Sequence, residues 1–249
     1  MSIFWMSGCS SSNPGDSKGP LTSERKSELL VEAAQGALVE GDPIGCLQLL
    51  EQAEKLDDSK PELYHTRALA FFARKDQKSA LENAKRSIEI NPKFSPGQNT
   101  YGKLLFDLGR YDEAKVALAR AASDQLYRDA YRANTTLGMI AYREQKFSAS
   151  QQYLDRAVQD GKSQACIARY YLGHLAIRAK KNSQEALKQY REAVRGSCAS
   201  FSEAHLAIAG LLQKMGQTQD ARKKYLEIQN VFPSTEASQT AWARLKEMD

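Results

Sequence analysis

Histidine, cysteine and tryptophan are scarce in this chain: three, four and two of 249 residues. His65, His174 and His205 stand far apart with no HExxH or Cys-x-x-Cys companion, and no Walker-type loop, G-x-S-x-G or paired-carboxylate site is visible. Each histidine therefore reads as a surface or packing residue. The chain has no residues on which to rest catalysis, a metal, a cofactor or a small-molecule substrate. An excess of one charge is also lacking, since 35 basic residues face 30 acidic ones for a net +5. Basic residues gather only in short runs, such as Lys180-Lys181 and, beside Arg222, Lys223-Lys224. A nucleic-acid binder needs a concentrated phosphate-neutralising patch with aromatic residues for stacking, so that class is excluded. No apolar run reaches the roughly 20 residues of a membrane-spanning helix.

What is abundant is alanine, leucine, glutamate, lysine, arginine and glutamine, with few β-branched residues. These are the residues that lose least on entering a helix, and the seven prolines fall largely between periodic segments. The class is all-α.

Small residues recur at a fixed period. From Pro61, Tyr64, Ala68 and Phe71 lie on one helix, Ala80, Ala84 and Ser87 on the next, and Asn91-Pro92 closes the unit. One period earlier come Ala34, Ala37, Gly41, Cys46, Leu50 and Ala53; one later, Gly102, Gly109, Tyr111, Ala114, Leu118 and Ala121. Leu137-Gly138, Ala141 and Phe147 mark a fourth unit, delayed by a linker that contains Asp124-Gln125-Leu126-Tyr127. Leu172-Gly173, Ala176 and Tyr190 mark a fifth, with one extra residue around Lys181-Asn182-Ser183, and Ile208-Ala209, Gly216 and Tyr225 a sixth. The spacing resembles the tetratricopeptide repeat, whose two antiparallel helices approach closely only where the facing side chains are small. The expected fold is an all-α right-handed superhelix of six repeats (27–60, 61–94, 95–130, 131–165, 166–201, 202–233). A capping helix over 234–249 should follow, N-capped by Ser234 or Thr235 and apolar along Ala237, Ala241, Trp242, Leu245 and Met248.

In such a superhelix the first (A) helix of each unit lines a concave wall through its fifth, ninth, twelfth and thirteenth positions. These include Val31, Leu38, Val39, His65, Leu69, Phe72, Phe106, Met139, Tyr142, Tyr170, His174 and Ile177, an apolar and aromatic strip with few charges. A contiguous strip of this kind fits a groove for a segment of another protein, although any single member can equally pack against the next repeat. The Lys/Asn/Arg clamp by which some cytosolic co-chaperones of this fold hold a carboxylate is disfavoured. The first three units present Val31, Gln35, His65, Leu69, Asn99 and Lys103, without paired cations.

The N-terminus reads Ile3-Phe4-Trp5-Met6-Ser7-Gly8-Cys9-Ser10, an apolar run, small residues and a cysteine. This resembles a bacterial lipobox, which implies residues 1–8 as a signal-peptide remnant, lipidation at Cys9 and a flexible tether over 9–26, rich in Ser, Gly and Pro. A short apolar stretch and a stray cysteine in a disordered tail is the alternative. Cys46 fits the small-residue position of a B helix and reads as an inert buried hydrophobe. Cys166 starts the fifth A helix and Cys198 follows the fifth B helix, so antiparallel pairing brings them to one edge. They are a candidate disulfide if their Cα atoms come within about 7 Å.

A lipobox, a tether, six repeats and a terminal helix resemble the PilF/PilW pilotins, the type IV pilus biogenesis lipoproteins of Gram-negative bacteria. The most specific stretch is Ala121-Ala122-Ser123-Asp124-Gln125-Leu126-Tyr127 before Leu137-Gly138, together with Val231-Phe232-Pro233 before the last helix. The resemblance implies an outer-membrane lipoprotein on the periplasmic side. It would bind the type IV pilus secretin, promote the secretin's localisation and multimerisation, and so support pilus biogenesis and twitching motility, with the N-terminal half of the groove as the expected capture site. A lipoprotein subunit of the β-barrel assembly machinery and a generic peptide-binding adaptor remain as alternatives.

Overall fold

The computed structural model describes residues 20–179 and 182–248. Among these residues are thirteen α-helices, twelve of them in antiparallel pairs: α1 (Ser23–Val39) with α2 (Pro43–Glu54), α3 (Pro61–Ala73) with α4 (Gln77–Ile90), α5 (Ser95–Asp107) with α6 (Tyr111–Ser123) and α7 (Ala130–Arg143) with α8 (Phe147–Gly161). The pairs α9 (Cys166–Arg178) with α10 (Ser183–Glu192) and α11 (Ser202–Lys214) with α12 (Thr218–Val231) follow, and α13 (Glu236–Lys246) closes the stack. There is no strand among the described residues. The chain is an all-α superhelix of six tetratricopeptide repeats with a capping helix.

Local chemistry sets the ends of the helices. The side chains of Thr22, Asp42, Asp76, Asn182 and Thr235 each accept a hydrogen bond from a backbone N–H three residues on, which satisfies a donor that the helix itself cannot. The turn from A to B helix needs a left-handed residue, and Gly41 (φ 83°), Gly109 (φ 75°) and Gly216 (φ 76°) supply it in three repeats. Within each pair the small residues permit close approach. A Cβ on Gly138 would lie 2.6 Å from Leu154 Cγ, and one on Gly173 would lie 2.3 Å from Tyr190 Cε1. Ala34 and Ala68, fully buried, hold the same register in the first two repeats, and Leu50, Leu118 and Leu154 fill the space beside the small residues. Each such leucine, removed entirely from water, contributes about 2–3 kcal/mol.

Two expectations are corrected. Helix α1 begins at Ser23, so its first turn occupies the end of the segment expected to be tether. The Thr22 cap and the ion pairs Arg25–Glu28 (2.9 Å) and Lys60–Glu24 (2.6 Å) extend the helix one turn ahead of the repeat motif. Trp242 does not share the packed face of α13. Ala237, Ala241 and Leu245 are buried at a spacing of four, whereas Trp242, one position around the helix, is 54 % exposed beneath the Lys246 ammonium, 3.6 Å from its ring centroid. The cap itself is Thr235.

Candidate functional site

The A helices form the inner layer. α1 packs on α3, α3 on α5, α5 on α7, α7 on α9 and α11 on α13, while successive B helices make no comparable contact among the described residues. Rods that touch along one edge and splay along the other must curve toward the touching edge, so the A helices line the concave wall. Close packing is interrupted between α9 and α11. There the linker 193–201 enters the wall, its short 3-10 turn at Gly196–Cys198 lying against the 3-10 turn at Lys162–Gln164. A disulfide joins Cys166 to Cys198, with Cα atoms 5.6 Å apart.

In front of this interruption lies a hollow of about 710 Å³. Asn99, Lys103 and Phe106 of α5, Tyr131, Thr135 and Met139 of α7, the start of α9 with Ile167, and Phe201 of the linker line it. Its floor is apolar, and its polar groups are largely engaged. Thr135 donates to the Tyr131 carbonyl (2.7 Å), Tyr131 donates to Gln164 Oε1 (3.2 Å), and Lys103 pairs with Asp107. Phe201 meets Tyr170 edge-on at 5.2 Å, which ties the hollow's rim to the aromatic cluster Tyr142, Tyr170, Tyr171, His174 and Tyr190 behind it.

Of the residues expected in the groove, Phe106 and Met139 line this hollow. Val31 is buried in the first repeat, and Leu38, Leu69, Tyr142, Tyr170 and Ile177 are half-buried. Val39 and Phe72 stand out in solvent, 88 % and 46 % exposed. His65 shares a hydrogen bond with Thr100 Oγ1 (3.0 Å) and sits edge-on to Phe94, and burial pulls its pKa down to about 4. His174, bonded to the Tyr190 hydroxyl (3.2 Å), is held below the ordinary imidazole range by burial and then by the nearby Arg178 charge. Both are neutral linkers between helices. Cys9 lies outside the described residues, as do residues 1–19 as a whole and the dyad Lys180-Lys181.

The expectation of few charges is corrected as well. Arg143, Arg178 and Lys214 occupy the thirteenth, inward-facing position of repeats four to six and are exposed. Sequence reasoning also passed over Ile167, in the first turn of α9, and Phe201, which reaches the wall at the end of the long linker 193–201 before α11. For the cations the signal was available, because the thirteenth position was already known to face inward. Among the described residues there is no cluster of three or more His, Cys, Asp or Glu suited to a metal, and no helix long and apolar enough to cross a membrane.

Paired helices stacked around a curved inner wall define the class of fold, a tetratricopeptide-repeat superhelix. The model of the tetratricopeptide repeat matches residues 96–123. Among particular proteins, the chain is similar to the type IV pilus assembly protein PilF of Pseudomonas aeruginosa, at 23 % identity over 138 residues that make up 55 % of each chain. The match thus spans about half the length of that curated relative. The solved structure of PilF superposes with a TM-score of 0.75 at 19 % identity, covering 89 % of this chain and 99 % of that one. PilW, described as a widely conserved type IV pilus biogenesis factor, superposes with a TM-score of 0.74 at 21 % identity, covering 87 % and 98 %. The Cut9–Hcn1 assembly of the APC/C reaches 0.76 at 14 % identity, covering 90 % of this chain and 43 % of its own, so shape alone does not choose a partner.

Proposed function

We propose that this chain is a lipid-anchored scaffold on the periplasmic face of the outer membrane. It binds the type IV pilus secretin, promotes the secretin's localisation to that membrane and its multimerisation, and so supports pilus biogenesis and twitching motility. The observation that carries the reading is the similarity to PilF in sequence, joined to superposition on nearly the whole of PilF and PilW.

The physical content is simple. Acyl chains on Cys9, at about 0.8 kcal/mol per buried methylene, hold the chain to the bilayer firmly once two or three are present. The segment from Cys9 to Thr22 reaches about 45 Å when extended, enough to present the superhelix to a neighbour on the same membrane. The inner wall then binds a segment of the partner. The hollow between α5 and α9 makes the middle and C-terminal repeats the favoured place for this, rather than the N-terminal half.

Deleting the gene tests the reading: secretin multimers and surface pili are expected to fall together. Normal levels of both would refute it, and recovery of a barrel-assembly protein instead of secretin from detergent-solubilised envelopes would reassign the partner. Cys9→Ala is expected to move the chain from the membrane to the soluble fraction, and intact membrane retention would remove the anchor from the account.

A further inference from the structure

The three cations at the thirteenth position share one construction. Each follows by five residues the small residue that packs against the B helix: Gly138, Gly173 or Ala209. Each lies in the last turn of its A helix. Arg143 lies over the ring of Phe106 (4.8 Å) and donates to the Tyr111 hydroxyl. One repeat later, Arg178 lies over Tyr142 (5.6 Å) and Phe147 (5.9 Å), the residues that hold the same two registers. Among the described residues none of the three cations has a carboxylate within ion-pairing distance, although ion pairs are frequent elsewhere on the surface. A cation at a helix C-terminus complements the helix dipole, which is the ordinary explanation for one of them. It does not explain why α1, α3 and α5 end at that register in Val39, Ala73 and Asp107, nor why two guanidinium groups lie over aromatic rings of the preceding repeat.

A guanidinium held over an aromatic ring is fixed in place while N–H donors remain for a further partner, and its fork of donors is the geometry that receives a carboxylate. We propose that the inner wall of repeats four to six is a docking surface for an acidic stretch of a protein partner. Its carboxylates run along Arg143, Arg178 and Lys214, and an apolar side chain enters the hollow beside Phe106, the ring that carries Arg143. The proposal rests on the chain being a protein-binding scaffold and does not require that the partner be the secretin.

The test is fluorescence polarisation on the full chain in detergent. The probe is a labelled peptide of about twelve residues holding several Glu and two Phe among Gly and Ser, set against the same peptide with every Glu replaced by Gln. The expected result is about tenfold tighter binding of the Glu peptide at about 50 mM salt, a preference that shrinks at about 500 mM. Arg143→Gln, Arg178→Gln and Lys214→Gln combined should abolish the preference. Arg156→Gln, Lys188→Gln and Lys223→Gln, the same charge change made on the exposed B helices α8, α10 and α12, should leave it intact. Equal affinity for the two peptides, or equal loss in both triple variants, would overturn the proposal. The comparison of peptides on the unaltered chain decides it even if the inner triple variant fails to fold. A chain that prefers the Glu peptide while its deletion spares the secretin keeps this surface and loses the secretin.

Discussion

The two halves of the superhelix are built on one steric template and finish their inner walls differently. In the first three repeats polar groups link successive A helices: Gln35 donates to Thr66 Oγ1 (3.3 Å), and His65 shares a hydrogen bond with Thr100 (3.0 Å). That wall satisfies itself. In the last three repeats aromatic rings do the linking, a disulfide staples the fifth unit, and cations stand with no acidic partner among the described residues. The difference shows that close approach of the helices constrains only the small positions and their fillers. The inward positions are free to carry recognition.

The sharpest way to break this comparison is to cut the staple. Closing a loop with a sequence separation of 32 should stabilise the fifth unit by about 3.7 kcal/mol on the chain-entropy account. Because each repeat is held by its nearest neighbours, the loss should be local. Reduction is expected to lower hydrogen-exchange protection across α9–α11 and leave α1–α4 unchanged. Equal loss in both halves would mean that the repeats are not stabilised unit by unit.

A second contrast uses glycine. Gly173→Val drives a branched side chain into the buried Tyr190 ring and should cost about 3 kcal/mol. At Gly36, on α1, an added Cβ meets nothing within 4 Å, so Gly36→Ala should add about 0.5–1 kcal/mol. Urea midpoints of the two variants should move in opposite directions.

A smaller effect is expected from pH. Folding lowers the His65 pKa to about 4, so the unfolded chain binds the proton first as pH falls. Stability is therefore full above the unfolded value near 6.5 and is lost as pH drops toward 4, by about 2 kcal/mol between pH 7 and pH 5. His65→Asn should flatten most of that slope.

How much of this was legible in the residues follows the same physics. Ala68, Gly102, Gly138 and Gly173 announced the helix pairs because nothing larger fits where the two helices nearly touch. The edge shared by Cys166 and Cys198 followed from antiparallel pairing alone. The early start of α1 was not legible, because a cap and a few ion pairs extend a helix without altering the repeat pattern. Trp242 misled because an apolar residue one step off a buried stripe looks like part of it. The hollow was hidden for a third reason: α5, α7 and the start of α9 line it together with Ser197, Cys198, Ser200 and Phe201 of the linker before α11, and the path of that linker is not written on any helix face. Arg143 and Arg178 were passed over since a cation ending a helix is ordinarily just solvated.

The most direct measurement places a photo-crosslinking residue, in cells, at Met139 in the hollow, at Phe72 on the N-terminal wall and at Lys188 on the outer surface. The account predicts a single strong protein adduct from Met139, a weaker one or none from Phe72, and none from Lys188. Adducts of equal strength from all three positions, or from Lys188 alone, would contradict it.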